Sequence, residues 1–156
     1  MLNTMDTRAE CYLLHREPML LVDNVITCSA SQITVSVVIG EKHRLFIQPN
    51  QCVAAWISIE LMAQAVGVWA GVQGKQQGEA APKIGFLLGG RQCKHFVDGY
   101  NVGDQLLIEA DMLMQDQLMA SFDARILDLD GKCLASARLT TYQPSETELA
   151  ALLDQQ

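Results

Sequence analysis

The sequence predicts an α+β fold in which an antiparallel β-sheet wraps around a single long helix. Two β-branched runs come first, one long apolar segment follows, and four further β-like runs complete the chain. The apolar segment, residues 53–72, has only Ser58, Glu60 and Gln64 as clearly polar members. A helix that is apolar nearly all round must be covered on all sides. A curved sheet on one side and a twofold-related copy of the chain on the other would provide that cover.

The first two strands are predicted over 19–28 and 32–39, where apolar and β-branched residues flank the short polar stretch Ser29-Ala30-Ser31. Pro49-Asn50 is a turn signal before the apolar segment. The helix is predicted over about 52–73, because the length of this segment and its alanine and methionine content favour helix over strand.

The second half of the chain predicts four antiparallel strands, at 83–97, 104–115, 118–128 and 133–142. Within 105–113 apolar residues at every second position, from Leu106 to Met112, alternate with mainly polar ones, which is typical of a sheet with one fully buried face. Asp130-Gly131 predicts a two-residue hairpin turn. The capping pattern Ser145-x-x-Glu148 predicts a short C-terminal helix.

The length of 156 residues predicts a single domain spanning 1–156. Eighteen acidic against eleven basic residues, with no basic run, argue against a nucleic-acid partner. Five widely spaced cysteines without a C-x-x-C motif, behind a polar N-terminus, predict reduced thiols in a cytoplasmic protein. A carboxylate at the centre of a membrane span would cost about 2.5–3.5 kcal/mol, so the apolar segment is expected to be a core helix and no membrane partner is expected.

Glu60 is the residue whose position most needs an explanation, since it interrupts the most apolar segment of the chain. Burying an unpaired charge is expensive, and a buried carboxyl group tends to stay protonated. A protonated carboxyl group is what a general acid needs. Glu60 is therefore a candidate acid, and the alternative is a structural carboxylate paired at a subunit interface or turned toward solvent. Gln64, four residues later, is expected on the same helix face.

Three motifs resemble those of the hotdog-fold 3-hydroxyacyl-acyl-carrier-protein dehydratases. They are "HREPMLLVDNV" at 15–25, "IELMAQA" at 59–65 and "KIGFLLGGRQCKHFVDGYNVGDQLLIEA" at 83–110. The chain is most similar to the branch found in aryl polyene biosynthesis clusters, through Trp56 to Gln64, Gly85 to Gly89 and Tyr142-Gln143-Pro144.

The resemblance implies dehydration of a 3-hydroxyacyl thioester on acyl carrier protein to the trans-2-enoyl thioester, in fatty-acid or polyene-like biosynthesis. It implies acyl carrier protein as a partner and no cofactor beyond the phosphopantetheine arm of that carrier. It also implies a homodimer or higher homo-oligomer, or a heterodimer with a paralogue. Two alternatives on the same fold stay open: an acyl thioesterase in which Glu60 activates water, and an inactive dehydratase-like binding subunit.

For the site, the resemblance makes Glu60 catalytic and makes Ala55 the residue whose amide polarises the thioester carbonyl. It makes Gln64 a supporting residue that orients Glu60 or bridges the dimer, and the alternative is a polar side chain that satisfies backbone groups. Where the family has its catalytic histidine this chain has Phe46. We expect His15 to replace that histidine and to face Glu60 from the opposite subunit, and His43 is the competing candidate.

Two further expectations concern the surface and metal binding. His95 is expected to be a surface residue. Arg91 and Lys94 are candidates for docking the acidic carrier, and the alternative is an ordinary solvated strand face. No two of the three histidines have metal-ligand spacing, and no metal is expected.

Overall fold

The computed structural model of the chain describes residues 5–83 and 85–155. A six-stranded antiparallel sheet has the strand order β1-β2-β6-β7-β8-β4, and a separate pair is formed by β3 and β5. The strands are β1 Asn24–Cys28, β2 Gln32–Val38, β3 Cys52–Ala54, β4 Phe86–His95, β5 Gly99–Asn101, β6 Gln105–Asp116, β7 Met119–Leu127 and β8 Cys133–Tyr142. The helices are α1 Ser58–Gln76 and α2 Glu146–Leu153, and 3₁₀ turns span Ala9–Cys11, Glu41–His43 and Ala55–Ile57. Ile84, part of the predicted run 83–97, lies outside the described residues.

The core lies between α1 and the inner face of the six-stranded sheet. Leu61, Met62 and Ala65 of α1 are fully buried, as are the inward side chains of the sheet such as Ile108 and Ile126. Residues 55–76 are long and apolar enough to span a membrane by composition, and most of this segment is buried inside the fold. The predicted α+β class, with an antiparallel sheet packed on one long helix, is confirmed.

The structure corrects several predicted boundaries. The chain is not in a strand at residues 19–23, because backbone groups of Met19 and Leu21 are hydrogen-bonded to the side chain of Gln64 instead of to a neighbouring strand. The predicted helix start at about 52 is also wrong: residues 52–54 form β3, paired with the distant β5, and a 3₁₀ turn leads into α1 at Ser58.

Not all of α1 is covered by its own sheet. A stripe at helical spacing, formed by Glu60, Ala63, Gly67 and the pair Ala70-Gly71, is only half-buried. Small side chains occupy the whole stripe after Glu60. The fold therefore leaves one groove along the helix, and that groove is where the candidate site lies.

The edge strand β4 predicts self-association. All ten of its residues are exposed, β8 is its one partner strand among the described residues, and Phe86 and Leu88 are among its exposed apolar side chains. An edge strand with exposed apolar side chains and free backbone groups is a template for pairing with another chain. We expect light scattering to report at least a dimer, and Leu88→Lys to weaken it while Leu129→Lys, in the exposed β7–β8 connection, does not. A monodisperse monomer at micromolar concentration would contradict this expectation.

Candidate active site

A cavity of about 510 Å³ lies over the half-buried stripe of α1. Its volume falls within the range of about 300–1,000 Å³ that is usual for small-molecule sites. Its floor is the stripe itself, and its walls come from residues 12–15, from Glu79, Pro82, Lys83 and Gly85 of the α1–β4 connection, from the start of β4 and from the end of β8. Two of the ionisable side chains that line the cavity, His15 on the wall and Glu60 on the floor, lie close together.

His15 and Glu60 face each other within a single chain. The Nε2 atom of His15 lies 3.8 Å from Oε1 of Glu60, which is too long for a direct hydrogen bond. The two side chains are 41% and 38% exposed, so both nitrogen and carboxylate can be reached from the cavity. This corrects two expectations: Glu60 is not buried among apolar side chains, and the pair does not need the opposite subunit to form.

Two glycines of α1 explain how His15 comes so close to the helix. A Cβ atom at Gly71 would lie 2.2 Å from the carbonyl oxygen of Tyr12, and one at Gly67 would lie 2.9 Å from Cδ2 of Leu13. Any larger residue at Gly71 would collide with backbone. The glycines therefore let the 12–15 segment pack directly on the helix. Their spacing of four residues within an apolar helix is a sequence signal for close packing of another segment on that face.

Gln64 connects Glu60 to the backbone of the segment that precedes β1. The side chain of Gln64 is only 1% exposed. Its Oε1 accepts the N–H of Leu21 at 2.9 Å, and its Nε2 donates to the carbonyl of Met19 at 2.7 Å and to Oε1 of Glu60 at 3.0 Å. The two backbone bonds fix which end of the amide is oxygen and which is nitrogen. Gln64 must therefore present an N–H group to Glu60.

His43 is a core residue and cannot be the proton acceptor. It has no exposed surface. Its Nε2 donates to the carbonyl of Leu21 at 2.9 Å, and its Nδ1 accepts the N–H of Gly40 at 3.1 Å. Burial lowers the pKa of His43 below its usual 6.5. His43, the competing candidate for the base, is therefore excluded from that role.

This burial predicts a pH dependence of stability. Because the pKa of His43 is lowered in the folded state, the unfolded chain binds a proton first as the pH falls. The contribution of neutral His43 to the stability of the folded chain is therefore complete above about pH 6.5. It is lost as the pH falls through the lower pKa that His43 has in the folded state. We expect the melting temperature to decrease on acidification from pH 7, with a smaller decrease in His43→Gln. His95→Gln, changed at an exposed position of β4, should show the same decrease of melting temperature with pH as the wild type. If His43→Gln also shows the wild-type decrease, the buried neutral His43 is not its cause.

The structure corrects the expected role of Ala55. Its N–H is donated to the carbonyl of Asp98 at 3.0 Å, and the residue is buried at the start of a 3₁₀ turn. That amide is therefore engaged within the fold and cannot polarise a substrate carbonyl. Every helix start has backbone amides without a partner inside the helix. Here the contact with Asp98 takes up the amide of Ala55, and spacing in the sequence does not reveal that contact.

Arg91 and Lys94 are exposed on β4. Their exposure is consistent both with docking of a carrier protein and with an ordinary solvated strand face. Arg91 lies opposite Arg138 in the β4–β8 ladder, and Lys94 shares a surface depression with Arg125 and Arg138. Two cations side by side on neighbouring strands repel each other unless an anion is near. Arg138 has such an anion in Asp123, at 3.0 Å. Whether Arg91 and Lys94 dock a carrier protein stays a prediction.

Comparisons with known proteins agree with this architecture. A family model described as ApeP-like, ApeP dehydratase, matches residues 7–154. A 3-hydroxyacyl-[acyl-carrier-protein] dehydratase FabZ from Acinetobacter baylyi is 28% identical over 132 residues, which cover 82% of this chain and 86% of that protein.

Among solved structures, the dehydratase heterocomplex ApeI:P from Xenorhabdus doucetiae is similar with a TM-score of 0.87 and 35% identity, over 95% of this chain and 98% of the matched chain. The E. coli PaaI protein, from the phenylacetic acid degradation operon, shares the fold with a TM-score of 0.58 and 15% identity, over 76% of this chain and 81% of that one. The hotdog fold implied by the sequence motifs is confirmed. The chain belongs to the ApeP-like dehydratase family.

Proposed function

We propose that this chain removes water from a 3-hydroxyacyl thioester carried on acyl carrier protein and produces the trans-2-enoyl thioester, in fatty-acid or polyene-like biosynthesis. The observation that carries the proposal is the His15–Glu60 pair at 3.8 Å, which lines a cavity. The pair lies in a chain that matches a dehydratase family over residues 7–154. A base and an acid facing one substrate cavity are the two groups that an elimination of water requires.

In the proposed reaction, neutral His15 accepts the proton from C2 of the acyl chain through Nε2. The carboxyl group of Glu60 gives its proton to the C3 hydroxyl, the C3–O bond breaks, and water leaves as the C2–C3 double bond forms. The turnover leaves a protonated His15 and an ionised Glu60, and transfer of one proton from the first to the second restores the starting state. Because Gln64 binds Oε1 of Glu60, the other carboxyl oxygen is left to act on the substrate.

The proposed reaction needs no cofactor other than the phosphopantetheine arm that carries the substrate. All five cysteines are free thiols in the structure, which supports our proposal of a cytoplasmic, reducing location. For the assembly, we propose that the exposed edge of β4 pairs with a second subunit, either an identical chain or a paralogue. The similarity to one chain of a dehydratase heterocomplex supports considering both kinds of subunit.

For the carrier, we propose docking on the basic surface formed by Arg91, Lys94 and Arg138. Reversing two charges with Arg91→Glu and Lys94→Glu should lower kcat/KM for a carrier-bound substrate about tenfold at low salt, which is the lower end of the effect of electrostatic steering. The rate with a pantetheine thioester, which has no carrier protein, should not change. Lys132→Glu, an exposed basic residue of the β7–β8 connection, is the matched control. Equal losses with both substrates would contradict docking at this surface.

The experiment that tests the function is incubation of the purified chain with hydroxyacyl-, enoyl- and saturated acyl-carrier substrates, followed by mass spectrometry. The proposal predicts interconversion of the hydroxyacyl and enoyl forms and no attack on the saturated acyl form. Release of free carrier thiol and fatty acid from the saturated form would establish a thioesterase instead. Binding of all three without conversion would identify a binding subunit and would contradict the proposal.

A further inference from the structure

The backbone of Leu21 is held on both sides of its Cα atom by buried side chains. Its carbonyl accepts a hydrogen bond from Nε2 of His43 at 2.9 Å, and its N–H donates to Oε1 of Gln64 at 2.9 Å. Leu21 itself is fully buried. Leu21 lies outside any strand, so its backbone is not held by a sheet ladder, and these two side chains hold it instead.

The ring of His43 is also held by contacts other than the one to Leu21. The N–H of Gly40 donates to Nδ1 of His43 at 3.1 Å, and this bond caps the start of the 3₁₀ turn Glu41–His43. A ring that accepts at Nδ1 and donates at Nε2 is neutral and has a single tautomer. The adjoining residue Lys42 forms an ion pair with Asp23, and Asp23 also accepts the N–H of Val38 at 2.8 Å. The turn is therefore tied to both β2 and the segment that leads into β1.

From Leu21 the contacts continue to the candidate acid. Gln64 receives the Leu21 N–H and donates to Oε1 of Glu60 at 3.0 Å. Every buried side-chain nitrogen and oxygen among the described residues has a hydrogen-bond partner. The polar side-chain atoms of His43 and Gln64 are therefore all hydrogen-bonded. An apolar side chain at position 43 could fill the space, but it would leave the Leu21 carbonyl buried without its donor.

We propose that His43 is a positioning residue for the dehydration, which holds Glu60 in place through the backbone of Leu21 and the side-chain amide of Gln64. The inference rests on the proposed function. A displacement of about 1 Å at a catalytic group can cost up to about 10²-fold in rate. Loss of the His43 contact should therefore lower kcat about tenfold and leave KM nearly unchanged, since His43 does not touch the cavity.

Four variants test the inference. His43→Phe fills the site and removes both hydrogen bonds, whereas His43→Gln keeps a donor near the Nε2 position, and we expect it to recover most of the rate. Gln64→Leu removes the next member of the path. Ile126→Ala, in the core on β7, is the control for loss of stability alone. It should keep a wild-type kcat when it is assayed well below its melting temperature.

The decisive comparison is the double variant His43→Phe/Gln64→Leu. If His43 acts through Gln64, the double variant is no slower than Gln64→Leu alone. Independent, multiplicative losses would overturn the inference, and so would a folded His43→Phe with the kcat of the Ile126→Ala control. If His43→Phe does not fold, His43→Asn takes its place, because the shorter amide does not reach the Leu21 carbonyl and should be slow where His43→Gln is not.

A readout that does not depend on activity separates this inference from the proposed function. Hydrogen exchange of the Leu21 amide should accelerate in His43→Phe or His43→Asn and stay slow in His43→Gln and Ile126→Ala. A wild-type chain without dehydratase activity would overturn the proposed function, while the exchange result would still decide whether His43 holds Leu21. Unchanged exchange in the loss variants would overturn the positioning role even in an active enzyme.

Discussion

Replacing Glu60 with glutamine is expected to lower the dehydration rate by about 10²–10⁴, the range found for general acid–base residues. The substitution keeps the size of the side chain and an oxygen that can accept the Gln64 N–H, but it removes the proton that the C3 hydroxyl must receive. Because the side chain of Glu60 borders the cavity and is partly exposed, the melting temperature should change little. The measurement is the initial rate of enoyl formation from a hydroxyacyl-carrier substrate.

The matched control for this prediction is Glu109→Gln. Glu109 is also a glutamate on a regular element, with an ion pair to Arg125 at 2.7 Å, but it lies on β6 away from the cavity. It should keep the wild-type rate. A Glu60→Gln variant that is folded and retains more than a tenth of the wild-type rate would remove Glu60 from its proposed role as the acid.

Replacing His15 with alanine is expected to produce a loss of similar size, about 10²–10⁴, because it removes the proposed acceptor of the C2 proton. His95→Ala, at an exposed position of β4, is the matched control and should be as active as the wild type. The three histidines should therefore rank by effect on kcat, with His15 largest, His43 intermediate and His95 negligible. If His43 or His95 proves more important than His15, the proposed base is wrong.

Local sequence patterns were sufficient to predict the elements whose contacts are close in sequence. The strand at 133–142 was predicted with the observed bounds, and Ser145 accepts the N–H of Glu148 at 3.2 Å as its capping pattern implies. The β7–β8 turn was less well predicted. The N–H of Asp128 binds the carbonyl of Lys132, so three residues and not two form its tip, with Gly131 at a φ of 86°.

The parts that were not predicted depend on contacts between distant residues. The pairing of β3 with β5 joins residues almost fifty positions apart, and residues 19–23 avoid a strand because Gln64 binds their backbone. At the site, Glu60, Gln64 and His15 could be selected from motifs and helical spacing. The burial of His43 could not be predicted in this way, because it depends on a hydrogen bond to a carbonyl twenty-two positions away. The same limit explains the error at Ala55, whose amide meets Asp98.

The most direct test of the central claim is incubation of the enzyme with an enoyl-carrier substrate in water enriched in heavy oxygen, because elimination of water is reversible. If the chain is a dehydratase, mass spectrometry of the intact carrier should show the label on the C3 hydroxyl of a newly formed hydroxyacyl group, with the thioester preserved. Glu60→Gln and His15→Ala should each suppress that incorporation. Label in the carboxylate of a released free acid, with none at C3, would show that the chain is a thioesterase and would contradict the account.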